Sequence, residues 1–180
     1  MPLWLNIALL QGFWFLAVLG GPKEGAYPLV FLLSLLIVAG HFFTMSPKMP
    51  SINYLLFVIF SSFYGFLQDY ALLKMDFAYF ATSGYPLWLN SMYVVFICYY
   101  SRIFKKLPQQ LWILSIFGAF GGLSSYFAGY KLGSLFIVEE KMFVYLAIIT
   151  LSWAFYFPFS MWLYQKLENA NLSLFKPQAS

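Results

Sequence analysis

Six long apolar runs, separated by short segments marked by Pro, Gly or charge, leave this chain few ways to fold. They cover residues 3–19, 28–45, 53–73, 86–101, 111–130 and 142–164. Crossing the roughly 30 Å of hydrocarbon in a bilayer takes about 20 helical residues at about 1.5 Å each, and about 17 can suffice. The runs are continuous in apolar character and do not alternate, so they read as helices and not as barrel strands. Only 9% of the residues are charged, against about 25% in an average soluble domain. With 62% hydrophobic residues, 23% aromatics and a mean hydropathy of +0.77, the chain lacks the polar surface a water-soluble fold needs. That excludes a soluble enzyme, a disordered chain and a disulfide scaffold. The expected fold is all-α, a polytopic transmembrane bundle of six helices forming one integral membrane domain over residues 1–180.

Charge placement orients the bundle. One side carries Lys48, Arg102, Lys105, Lys106, Lys166 and Lys176; the other carries Lys23, Lys74, Lys131 and Lys141 beside Glu24, Asp76, Glu139 and Glu140. Cytoplasmic loops are enriched in Lys and Arg, so both termini are expected in the cytoplasm. The net charge of +4 is scattered over loops and builds no basic face, which argues against nucleic acid as a partner. No Lys or Arg precedes the first run, so it reads as a retained span and not as a cleaved leader. Cys98 stands alone, leaving no intrachain disulfide and no multi-cysteine metal site. No cofactor, metal or catalytic set is expected. Trp4, Trp88, Trp112 and Trp162 fall near run ends and are expected in the interfacial aromatic belts.

Asp69 is the acidic residue inside a necessary part of a span, the third. An acid there is costly unless it faces protein or water, which makes it a functional candidate. Gly65 lies one helical step earlier on the same face and is expected to leave space beside the carboxylate. The two form a candidate ligand-binding pair; the alternative is an acid at the outer interface, bonded to backbone or through water to Lys74. His41, the lone histidine, is a third ligand-binding candidate in the second span. The expected topology sends His41 towards the cytoplasm and Asp69 towards the outside, which argues against a pair.

The fifth run carries Gly118, Gly122, Ser125, Gly129 and Gly133 at steps of three and four, one stripe of small side chains. Lipid gives little hydrophobic drive between helices, so close approach through small residues holds them together. The stripe is expected to serve helix packing, within the chain or against a second copy or another membrane protein. Ser124 and Ser125 have no histidine downstream and no serine-protease pattern, so nucleophilic catalysis is not expected. Glu139 and Glu140 read as solvated loop charge. Asn6, Gln11 and Asn90 are expected to bond between helices, and Pro158 to kink the last helix.

The segments Gly65–Asp69, Tyr85-Pro86-Leu87-Trp88-Leu89 and Gly121 to Gly133 together resemble the domain of unknown function 2878 family of bacterial polytopic inner-membrane proteins. They carry its Gly-x-x-x-Asp step, its Pro-Leu-Trp helix start and its glycine-rich Ser-Tyr-x-Ala-Gly segment. Where family members often carry Asn-His, this chain has Cys98-Tyr99-Tyr100-Ser101, so no role of that histidine is carried over. The resemblance implies a multi-pass protein of the inner (cytoplasmic) membrane with no assigned activity, and an association with lipid-modifying genes hints at membrane lipid metabolism. The same Gly-x-x-x-Asp step is similar, more weakly, to the rod-shape-determining membrane protein family and to substrate-binding subunits of energy-coupling-factor transporters. Three functions are therefore carried forward. The first is a non-catalytic accessory or scaffold component of lipid or envelope metabolism. The second is a small-molecule- or lipid-binding transporter subunit, and the third an acyl-chain-modifying enzyme. The lipid bilayer is the partner common to all three.

Overall fold

The computed structural model describes residues 2–23, 27–45, 51–82 and 85–174. Among them run six α-helices: α1 (Leu3–Gly20), α2 (Tyr27–Met45), α3 (Ser51–Lys74), α4 (Leu87–Ile103), α5 (Leu111–Lys131) and α6 (Met142–Leu174). Each covers one of the apolar runs. Glu24, Lys48 and Lys176, used above to orient the chain, lie outside the described residues. Helices α1, α3, α5 and α6 are long and apolar enough to cross a membrane, whereas the apolar stretches Pro28–His41 in α2 and Leu87–Tyr99 in α4 are shorter.

Side-chain bonds show how the helices run. Tyr54 near the start of α3 bonds His41 near the end of α2 and Cys98 late in α4. Asn53 donates to the Leu167 carbonyl of α6, and Gln165 of α6 donates to Gln109 just before α5. At the other end of the bundle, Gly21 after α1 lies against the Trp88 ring at the start of α4. Successive helices therefore alternate in direction. Helix α4 occupies the middle, touching α1, α2 and α3, while α6 bridges α3 and α5. The outward faces remain apolar: Phe120 is 70% and Leu151 71% exposed. A helix that is hydrophobic all round belongs in a core or a membrane.

A feature absent from the expectation is a two-stranded antiparallel sheet, β1 (Ala78–Phe80) with β2 (Leu135–Ile137), pairing Ala78 with Ile137 and Phe80 with Leu135. Strands need period-two burial, and these have it: Ala78, Phe80, Leu135 and Ile137 are buried, Tyr79 and Phe136 exposed. The sheet ties the α3–α4 connection to the α5–α6 connection. Lys141 reinforces the tie by donating to the Met75 and Asp76 carbonyls at 3.2 and 3.0 Å.

Helix α5 ends before Gly133, which is thus not part of a helical stripe. Gly133 has φ +77°; its N–H bonds the Tyr130 carbonyl and the next N–H, of Ser134, bonds the Gly129 carbonyl. This is a Schellman cap, and its left-handed position favours glycine. The expectations at four other residues are corrected. Trp88 is 3% exposed and lies in the core, not in an interfacial belt; Phe80 meets it edge-on at 6.3 Å. Asn6 bonds locally to the Pro2 carbonyl, and Asn90 accepts from nearby Tyr85, so neither bond joins two helices. Gln11 is exposed, on the flank of a cavity.

Candidate functional site

Asp69 is 2% exposed, close to the C-terminal end of α3. An oxygen so placed has no water to bond, so the protein must supply its donors. Tyr93 of α4 donates to Oδ2 at 2.9 Å and Tyr126 of α5 to Oδ1 at 2.5 Å. The two phenol oxygens lie 2.6 Å apart. The Gln68 amide reaches Tyr126 at 3.1 Å and Asp69 Oδ1 at 3.4 Å. Its carbonyl accepts from Ser152 of α6, whose hydroxyl also meets Tyr64 at 2.9 Å. All donors to Asp69 are uncharged, and one connected network joins α3, α4, α5 and α6. The acid is held by protein, not by the interface or by Lys74, whose ammonium lies over the Tyr70 ring at 5.5 Å. Just outside the helices, burial pushes the Tyr85 phenol well up, with the nearby Asp69 adding to it.

The space expected beside Gly65 is taken. A Cβ there would collide with the ring of Tyr93. The missing side chain is therefore what lets that ring lie across α3 and carry its hydroxyl to Asp69. Gly65 and Asp69 do belong together, through Tyr93 and not through an open gap.

Tyr93 and Tyr126 also help to line a cavity of about 580 Å³, within the roughly 300–1,000 Å³ of small-molecule sites. Its walls come from α1 (Leu10, Phe13, Trp14), α4, α5 and α6, with Phe80 and Leu135 from the sheet. Among its described lining residues none is charged. Two of the lining residues, Trp88 and Trp153, hold their indole N–H groups buried in the protein without a hydrogen-bond partner.

The small-residue stripe divides by role. Gly118 and Gly122 lie against α6, where an added Cβ would strike Trp153 and Phe157. Ser125 and Gly129 line the cavity. The closest approach of these helices is thus made inside the chain.

His41 is separate. Its Nδ1 lies 2.7 Å from the Tyr54 hydroxyl, which in turn donates to the Cys98 thiol at 3.1 Å. Tyr54 precedes Asp69 by four turns of α3, about 22 Å, so histidine and acid form no pair. Among the described residues no group of His, Cys, Asp and Glu could hold a metal ion.

Sequence reasoning missed Tyr93, Tyr126, Gln68, Ser152, Trp88 and Trp153. The usable signals were Tyr64 and Gln68, one helical step apart beside the Gly65–Asp69 row, and Tyr93 in the middle of its run. A phenol in mid-span needs a polar partner, and an unmatched acid is the partner to look for.

A mainly helical fold with several apolar helices of membrane-spanning length, a buried acid and an uncharged, open-sided cavity marks a membrane protein. The chain matches the family model described as Protein of unknown function (DUF2878) over residues 3–159, and it belongs to that family. The match takes in α1 to α5 and about half of α6, beyond the segments that carry the resemblance. No curated protein and no solved structure matches the chain.

Proposed function

We propose that this protein crosses the bacterial inner membrane six times with both termini in the cytoplasm. There it acts as a non-catalytic accessory component of lipid or envelope metabolism by holding an amphiphile in the cavity between α1, α4, α5 and α6. The observation that carries this reading is the uncharged, mainly apolar cavity that Tyr93 and Tyr126 help to line. Asp69 contributes from behind, fixing both hydroxyls; it is a positioning residue. The alternating helix directions support an even number of crossings. Positive charge on one set of loops supports cytoplasmic termini.

The cavity favours binding over a purely scaffolding role. An enzyme acting on acyl chains is less well supported, because His41 and Asp69 lie at opposite ends of α3 and form no acid–imidazole pair. The reading is tested by extracting the full chain in mild detergent and identifying co-purified lipid by native mass spectrometry. Gly121 lines the cavity and a Cβ there meets open space, so Gly121→Trp fills the cavity without straining the backbone. Wild type is expected to retain lipid and the variant to lose it. Equal retention by both would reject the cavity as the site.

A further inference from the structure

Around Asp69 there are more hydrogen bonds than hydrogens. Oδ2 lies 2.9 Å from the Tyr93 hydroxyl, Oδ1 lies 2.5 Å from the Tyr126 hydroxyl, and the two phenol oxygens are 2.6 Å apart. Each of these oxygen–oxygen contacts is of hydrogen-bond length and needs one hydrogen between its partners. A phenol owns one hydroxyl hydrogen, so Tyr93 and Tyr126 supply two for three contacts. Gln68 does not fill the gap, because its amide approaches Tyr126 and Oδ1 from outside the triangle, at 3.1 and 3.4 Å. With both phenols spent on an ionised Asp69, their own oxygens would face each other lone pair to lone pair.

The surroundings offer a carboxylate no countercharge. The ionisable groups that face Asp69 are Tyr93 on α4, Tyr126 on α5, Tyr145 on α6 and Tyr85 just ahead of α4. The Tyr145 ring lies 6.2 Å from that of Tyr126. Strand β1, which also touches α3, presents none, since its Tyr79 is exposed. No lysine, arginine or histidine stands among these groups. An unpaired carboxylate taken out of water is costly, whereas a protonated carboxyl group is neutral and brings an O–H donor of its own.

We infer that Asp69 is a proton-binding site: its carboxyl group carries the third hydrogen and closes a ring of three hydrogen bonds with Tyr93 and Tyr126. With the proton on Oδ2, Asp69 donates to Tyr93, Tyr93 to Tyr126, and Tyr126 to Oδ1. With the proton on Oδ1 the ring runs in the opposite sense. Both arrangements bond every contact and leave the bundle uncharged at this point. Release of the proton to water takes the hydrogen out of the Tyr93–Tyr126 contact, which joins α4 to α5. Both rings help to line the cavity, so the proton is felt at its wall. The inference goes beyond the amphiphile-binding reading and does not rest on it.

The test is infrared spectroscopy of the full-length protein in detergent at neutral pH, with aspartate isotopically labelled at its side-chain carboxyl carbon. The chain has two aspartates, Asp69 and Asp76, and Asp69→Asn separates them. Wild type is expected to show the C=O stretch of a protonated carboxyl group that moves on labelling, moves again in heavy water and is lost in Asp69→Asn. A labelled spectrum with carboxylate bands alone, or a protonated band that persists in the variant, would overturn the inference. Thermal unfolding, followed by dye labelling of the buried Cys98, gives a second readout. An asparagine offers one N–H donor and one carbonyl acceptor to the ring, the same pair as the neutral acid. Asp69→Asn is therefore expected to unfold closer to the wild-type temperature than Tyr93→Phe, which removes a ring hydrogen. Unfolding of Asp69→Asn at or below the Tyr93→Phe temperature would mean that the site requires a carboxylate, and the proton assignment falls. Neither readout involves a lipid, so the result is independent of whether the cavity binds one.

Discussion

A carboxyl group with 2% exposure is stable in a helix bundle only if its oxygens are bonded, because water is not there to do it. Tyr93 and Tyr126 do this from two other helices, and each phenol also has its own hydroxyl satisfied by the arrangement. Removing one hydroxyl leaves Asp69 short of a donor while the ring still fills its place. Tyr93→Phe and Tyr126→Phe should each destabilise the fold by about 1–3 kcal/mol, the cost of an unmet buried polar group. The double variant should lose less than the sum, since both hydroxyls serve one carboxyl group. Cys98 supplies the assay: it is the single cysteine and is 0% exposed, so a thiol-reactive dye reports thermal unfolding. Midpoints unchanged in both single variants would mean that the network contributes nothing to stability.

Between elements, the contact of α5 with α6 depends on what two glycines lack. A Cβ at Gly118 would meet the Trp153 backbone carbonyl and the Phe157 Cβ at 2.6 Å, and one at Gly122 would meet the Trp153 side chain. Backbone and Cβ atoms cannot swing aside, so the helices themselves would have to separate. Gly118→Ala is expected to cost at least the roughly 1–3 kcal/mol of an overpacked core. Gly121→Ala, facing open space one turn along, should be near neutral in the same thiol-exposure assay. Equal effects at the two positions would show that α5 is not seated as described. The sequence makes the helices legible because nearly every apolar residue in a run serves the same end, burial in lipid or in protein. The small-residue spacing likewise marks which face of α5 comes close to a neighbour. It does not show that Gly133 has left the helix, because a step of four is equally compatible with a Schellman cap. Nor does it show β1 and β2. Each strand has only three residues, and its partner lies more than fifty positions away, beyond the reach of local periodicity. Trp88 is misread for a related reason: proximity to a run end cannot distinguish a ring facing the headgroups from one turned inward over Gly21.

At the scale of the molecule, the candidate site exists only because distant segments meet. Asp69, Tyr93, Tyr126 and Ser152 come from four helices, and no local motif contains any two of them. Their meeting requires α3 and α5 to finish at the same end of the bundle, where the β1–β2 sheet joins their connections. The end marked by Asn53, Gln109, Gln165 and Leu167 then holds the start of α3, the start of α5 and the later part of α6. It lies next to the α4–α5 segment that contains Arg102, Lys105 and Lys106. A cluster of Lys and Arg in a short connection is the strongest signal for the cytoplasmic side, and alternating helices carry the start of α1 to that side as well. Fluorescent-protein fusions at either terminus are therefore expected to fluoresce in the cytoplasm, and alkaline phosphatase fused at either terminus to stay inactive. A phosphatase fusion within the Phe77–Phe80 segment should be active, because it reports the opposite face. Reporters at the two termini that disagree would require an odd number of crossings. They would also place α2 or α4, whose apolar stretches are the short ones, outside the set of spanning helices.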